Sequence, residues 1–272
     1  MITTLILPAC GVKGIYYAGA YKSLLKHNVI KRENLKHILC CSSGCLFGLL
    51  INLNYSIEFI VKIITLIDFE KCIDYQDISD LFSDNGLFKI NKLINLFEHL
   101  LNSKSLNKKT TMKQLYEHTK IEYVIKVYNY TDNCEEYISY KNNPDISVLK
   151  AISMSCCIPL FFKPIKYKGK YYIDGGINSG DAYIDDEKYK NYIRIKISKK
   201  SKKYEMNDNL FEYINNLFTI SNKKSKNDLK NTIVIDCIKN LHFANFKISE
   251  KDKQEMIKHA QLLTDIYIYK YL

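Results

Sequence analysis

The sequence predicts an α/β fold in three layers, with a central, mostly parallel sheet flanked by helices. Short β-branched and aromatic runs alternate with longer segments of helical periodicity, and each pair is joined by a tight turn. The 272 residues, 47% hydrophobic and 25% charged, suit one large core better than two separately closed ones. We read residues 1–272 as a single domain.

In chain order, an apolar strand over 3–7 leads through a glycine-containing turn into a helix over 15–27. A second strand covers 37–41 and turns at Ser42–Gly44 into another helix, starting near Cys45. An amphipathic helix is predicted over 57–67 and further helices near 89–101 and 112–119, then strands over 122–130 and 136–140. A helix over 145–155 stops before Pro159. Later strands fall at 170–173, 192–197 and 232–237, and Ser249, followed three residues on by Asp252, caps a final helix. Lys-rich stretches at 199–203 and 223–230 read as exposed loops or helix ends.

Composition excludes several function classes. The longest apolar stretch, 46–67, is broken by Asn52, Asn54, Glu58 and Lys62, so it supplies no span of about 20 apolar residues. The N-terminal apolar run lacks a basic leader and fits a strand better than a signal peptide. Nine cysteines, with adjacent pairs at Cys40/Cys41 and Cys156/Cys157, point to a reducing compartment, and we expect a cytoplasmic protein. The formal charge of +11 favours peripheral contact with anionic membrane surfaces; no nucleic-acid partner is expected.

Three short segments carry candidate chemistry. In ILCCSSGCLFGLL (38–50), an apolar strand runs into a turn with Ser42 and Gly44 and then into a helix, the context of a nucleophile elbow. Small residues two positions either side of the serine let strand and helix pack closely; Gly44 is one and Cys40 stands in for the other. In PACGVKG (8–14), the backbone N–H groups of Cys10, Gly11 and Val12 are placed to converge on an anion. Such donors are worth about 3–4 kcal/mol each where negative charge develops. Lys13 is followed by Gly14 rather than Ser or Thr, so the turn is no Walker loop, and it lacks the glycines of a dinucleotide site. Finally, the strand through Ile173 delivers Asp174 to a Gly175–Gly176 turn, where a carboxylate within reach of Ser42 can act as general base.

In this order the segments resemble the patatin-like phospholipase family over roughly the first 185 residues. The family's Gly-Gly-Gly-x-Lys/Arg-Gly turn, G-x-S-x-G elbow, Ala-x-x-x-Ser-x-x-Ile-Pro segment and Asp-Gly-Gly read here as ACGVKG, CCSSG, AISMSCCIP and DGG. The resemblance implies a patatin-like three-layer fold and a serine acyl hydrolase of lipid esters, of phospholipase A or lysophospholipase type. Ser42 would be the nucleophile, Asp174 the other member of a dyad, and Cys10, Gly11, Val12, Lys13 and Gly14 the oxyanion loop. The implied substrate is a phospholipid or other fatty-acyl ester, and no metal or organic cofactor is required. Ala9, Cys10 and Cys40 depart from family glycines, each by a small residue. Leu46, Phe161 and Phe162 are candidates for an acyl channel.

Three other readings compete. An α/β-hydrolase triad would recruit Asp236 with His242, or His259, but that fold places its elbow after several strands, whereas Ser42 follows one earlier strand. Cys41, Cys45, Cys156 and Cys157 would serve as nucleophile or zinc ligands only if they cluster, and they contain no C-x-x-C pair. The third keeps the fold without turnover, as a protein that binds anionic membranes.

Overall fold

The computed structural model describes residues 1–72, 74–75, 86–198, 231–238 and 246–272. Both Lys-rich stretches and His242 lie outside the described residues. Seven strands form the main path of the sheet, in the order β11-β10-β1-β2-β5-β9-β8, and β6 pairs with β5 off that path. These strands are β1 (Thr4–Leu7), β2 (His37–Cys41), β5 (Glu122–Asn129), β6 (Cys134–Ile138), β8 (Ile165–Tyr167), β9 (Lys170–Asp174), β10 (Tyr192–Ser198) and β11 (Thr232–Asp236). The five strands from β11 to β5 run parallel, whereas β6 and β9 are antiparallel to β5, and β8 is antiparallel to β9. A smaller sheet joins β3 (Asp74–Tyr75), β4 (Gly86–Lys89) and β7 (Leu160–Phe162).

The helices are α1 (Ile15–Lys26), α2 (Ser43–Asn52), α3 (Ile57–Leu66), α4 (Asn91–Asn102), α5 (Met112–Thr119), α6 (Val148–Ser155) and α7 (Glu250–Tyr271). Their starts follow capping chemistry: Ser56, Thr111, Ser147 and Ser249 each accept a backbone N–H of the first turn. Among the boundaries that shift from expectation, two have clear local reasons. Ser147 caps α6, so 145–147 stay outside the predicted helix, and Lys89 pairs with Asp74 in the small sheet, so α4 begins after it. The central strands β1 and β2 are buried on both faces along nearly their whole length, as their near-continuous apolar runs require. On one side α7 packs against α1, and its buried Lys253 donates to the carbonyls of Thr65 (3.2 Å) and Ile67 at the end of α3. No helix among the described residues is long and apolar enough to cross a membrane.

Strand β5 aligns the ends of its neighbours. Lys126 pairs with Cys41 of β2 and with Tyr137 of β6, so those two strands lie on opposite edges of β5. Val127 pairs with Glu136 of β6 and with Asp174 of β9, which puts β9 on the same edge as β2. Along that edge β2 ends at Cys41, opposite Lys126, and β9, running the other way, ends at Asp174, one register position on. The two strand ends meet head to head.

Candidate active site

Ser42 is the residue immediately after β2, and its backbone is forced into φ 53°, ψ −127°, a conformation rarely adopted by a residue with a side chain. The sharp turn sends the chain straight into α2, and Cys45 N–H donates to Ser42 O at 2.8 Å. Gly44 is what allows this, because a Cβ there would lie 2.1 Å from the carbonyl oxygen of Leu7. Cys40, at the other small position, is fully buried in β2 with its thiol 3.3 Å from Val124 O, so the strand absorbs this departure from glycine. The Ser42 N–H donates to Ser155 Oγ at 2.8 Å, and Ser155, the last residue of α6, donates in turn to Lys126 O at 2.6 Å.

Asp174 ends β9, and the structure brings it to Ser42: Ser42 Oγ donates to Asp174 Oδ2 at 2.5 Å. Oδ1 accepts the Gly176 N–H at 2.7 Å, and the Asp174 N–H is held by Cys157 O at 2.9 Å. Both side chains are buried, Ser42 with 4% and Asp174 with 5% of its surface exposed. Burial raises the carboxyl pKa to about 6, against the opposing effects of the Ser42 and Gly176 hydrogen bonds and the Lys126 charge.

The predicted anion cradle forms a 3-10 turn over Gly11–Gly14, entered through Gly11 at φ 58°. Its donors divide into two sets. The Cys10 N–H lies 3.4 Å from Ser43 Oγ and the Lys13 N–H 3.3 Å from Cys10 O, so both are engaged within the protein. The N–H groups of Gly11 and Val12, at the start of the turn, have no carbonyl of their own helix to reach. Gly11, Val12 and Gly14 line the same pocket as Ser42. The side chain of Lys13 is buried, which lowers its pKa, and burial pushes the Cys10 thiol up to about 11.

That pocket has a volume of about 140 Å³. Leu46, Phe47 and Leu50 of α2, Ile63 and Ile64 of α3, and Phe97 of α4 contribute to its walls, and among the described residues no charged side chain lines it. Of the three residues expected along an acyl channel, Leu46 and Phe162 line it. Phe161 does not; it is buried, with its ring centroid 6.0 Å from that of Phe88.

Of the competing histidines, His242 lies outside the described residues and His259 is engaged by the Asp236 backbone rather than by Ser42. His259 Nε2 lies 2.9 Å from the backbone carbonyl of Asp236, with its ring against Tyr16. Burial raises the thiol pKa of Cys41, Cys45, Cys156 and Cys157, which keeps these groups protonated rather than nucleophilic. Sequence reasoning assigns Lys126 no role and Ser155 none beyond its place in the AISMSCCIP segment, yet they bracket the elbow; the available signal for Lys126 was a lysine in the middle of a predicted strand, flanked by Ile125 and Val127.

A strained serine at a strand-to-helix elbow, bonded directly to an aspartate from a later strand of the same sheet, defines a patatin-type α/β protein. Residues 5–185 match the family model described as patatin-like phospholipase, and the chain belongs to that family. Among its relatives is the protein of Invertebrate iridescent virus 6 named "Probable lipid hydrolase 463L", 28% identical over 178 residues, covering 64% of this chain and 59% of that protein. The chain spans 59–62% of the length of the curated relatives it matches. Among solved structures, VipD from Legionella pneumophila shares the fold with a TM-score of 0.69 at 17% identity, over 99% of this chain and 67% of VipD. ExoU from the type III secretion system of Pseudomonas aeruginosa, solved in complex with SpcU, aligns with a TM-score of 0.55 at 14% identity, over 100% of this chain and 53% of ExoU.

Proposed function

We propose that the protein is a serine acyl hydrolase of lipid esters, of phospholipase A or lysophospholipase type, working through a Ser42–Asp174 dyad. The observation that carries this reading is the 2.5 Å hydrogen bond from Ser42 Oγ to Asp174 Oδ2 beside an uncharged pocket. The ester carbonyl sits at Ser42 with its acyl chain among the aliphatic and phenyl side chains of α2, α3 and α4. As Oγ attacks the carbonyl carbon, its proton passes to Asp174, and the developing oxyanion is met by the N–H groups of Gly11 and Val12. The proton then goes to the leaving alcohol or lysolipid oxygen, which departs from the acyl-enzyme. Asp174 next deprotonates a water, the water oxygen adds to the acyl carbon, and the fatty acid leaves as Ser42 recovers its proton. A carboxylate with a pKa of about 6 is well matched to this exchange, being ionised at neutral pH yet a stronger base than an exposed aspartate.

The name of the viral relative supports lipid esters as the substrate class. The packing of α7 on α1 supports taking residues 1–272 as one patatin-like unit, nine free cysteines support a reducing, cytoplasmic setting, and the formal charge of +11 supports peripheral contact with anionic membranes. The test is fatty-acid release from phospholipid vesicles by Ser42→Ala and Asp174→Asn. Each is expected to lose activity by about 10³-fold or more, and full activity in either removes the dyad. A second reading, membrane binding without turnover, is favoured by the Cys10 N–H being turned to Ser43. Failure of a fluorophosphonate to label Ser42 in the folded protein would select it.

A further inference from the structure

We propose that Lys126 is a positioning residue for the Ser42–Asp174 pair, holding the loop after Asp174 through its ammonium group and the Ser42 elbow through its backbone carbonyl. The inference rests on the dyad reading above and deepens it with a residue that touches neither substrate nor reacting atoms.

Lys126 lies in the middle of β5 with 1% of its surface exposed. An ammonium group has three donors, and here they find Ser179 O at 2.9 Å, Asp181 O at 3.1 Å and Glu135 Oε1 at 2.7 Å. A buried lysine stays charged only where such partners replace water, so the lysine and the 175–181 loop hold each other in place. The same loop is tied at two further points: Ala9 N–H donates to Gly180 O at 2.7 Å, and Arg194 pairs with the Asp181 carboxylate at 2.5 Å. On the other side, the Lys126 carbonyl accepts from Ser155 Oγ, which receives the Ser42 N–H. One residue therefore connects the turn that carries the hydroxyl with the turn that carries the carboxylate, at the register position where β2 and β9 meet.

The ammonium also acts at a distance. Asp174 is faced by Ser42 Oγ and the Gly176 N–H, by the thiols of Cys41, Cys45, Cys156 and Cys157, which burial keeps neutral, and by the charge of Lys126, which favours its ionised form. Glu135 offsets that charge from the other side, and Asp181 is itself neutralised by Arg194.

The experiment compares the full chain with Lys126→Met and Glu135→Gln, measuring kcat and KM for p-nitrophenyl butyrate across pH together with the rate of fluorophosphonate labelling. For Lys126→Met, kcat and labelling are expected to fall about 10- to 100-fold with KM within about twofold, the scale of a small misplacement of reacting groups. Its acid limb is expected to move to higher pH, because a cation that favoured the carboxylate is gone. For Glu135→Gln the limb is expected to move the opposite way, to lower pH, because the lysine charge is less compensated. A general loosening of the fold does not produce shifts of opposite sign. Lys126→Met with unchanged kcat and an unmoved limb overturns the proposal. If Lys126→Met does not fold, Glu135→Gln decides by itself, and a limb that stays or rises overturns it. Should Ser42→Ala and Asp174→Asn be inactive while Lys126→Met behaves as the parent, the dyad stands and only the positioning role falls.

Discussion

Two carboxylates are buried beside β5, and they are held in different ways. Glu122, at the start of the strand, is 3% exposed and has the ammonium of Lys141 at 3.1 Å and the imidazole of His37 at 3.8 Å. Asp174, opposite Val127 and so five register positions further on, is 5% exposed but is contacted by a hydroxyl and a backbone N–H, with Lys126 next to its register partner. Burial is common to both. What separates them is that Glu122 is paired with a cation, while Asp174 is held by hydrogen bonds, and burial raises its pKa to about 6.

The largest test of this contrast is Asp174→Asn. It is expected to abolish turnover, by about 10³-fold or more, and yet to make the fold more stable by about 1–3 kcal/mol, seen as a raised Tm at pH 7. The sign follows from linkage: a carboxyl whose pKa rises from 3.8 to about 6 on folding binds its proton more tightly in the native state. The native fold therefore loses stability as pH climbs through that window, and the neutral amide escapes the loss. An unchanged or lowered Tm would mean that Asp174 is not held against its burial.

A smaller effect is expected in the pH profile. Activity should be full above a midpoint near pH 6 and fall about tenfold per unit below it, as Asp174 takes up a proton and can no longer receive one from Ser42. A midpoint near pH 4 would place the base outside the buried site. The smallest effect on activity is expected for Glu122→Gln, which should keep kcat within about twofold while lowering stability by about 1 kcal/mol, through loss of the contact with Lys141. If it instead cost as much activity as Asp174→Asn, the contrast between the two ends of β5 would collapse.

The same contrast explains what was legible in the sequence. The strand-turn-helix units around β1 and β2 are local, so apolar runs and a small-residue turn revealed them, and the family's motif order added the pairing of Ser42 with Asp174. The reversal of β9 was not legible, because whether a strand joins a parallel sheet head-on or alongside depends on pairing with residues far away in the chain. Short strands such as β7 and β8, three residues each, are below the length at which alternation can be recognised, so the sequence does not separate Phe161 from Phe162. The division of labour in the 9–14 turn was hidden for a different reason: which N–H groups stay open depends on a neighbour, Ser43, that comes close only in three dimensions. Lys126 has no legible role in the sequence, because a single lysine within a strand has no pattern to announce its partners.

The head-to-head meeting of β2 and β9 also sets when, in the proposed mechanism, the protein can first act on a lipid ester. The hydroxyl and the carboxylate are separated by 132 positions in the chain, and β5, which aligns them, is made between the two. A chain still on the ribosome, or cut short before Asp174, carries a serine with nothing to receive its proton. Lipolytic power in the proposed enzyme thus arrives only with the docking of β9, a late, long-range event, so that fragments and unfinished copies leave the membranes around them intact.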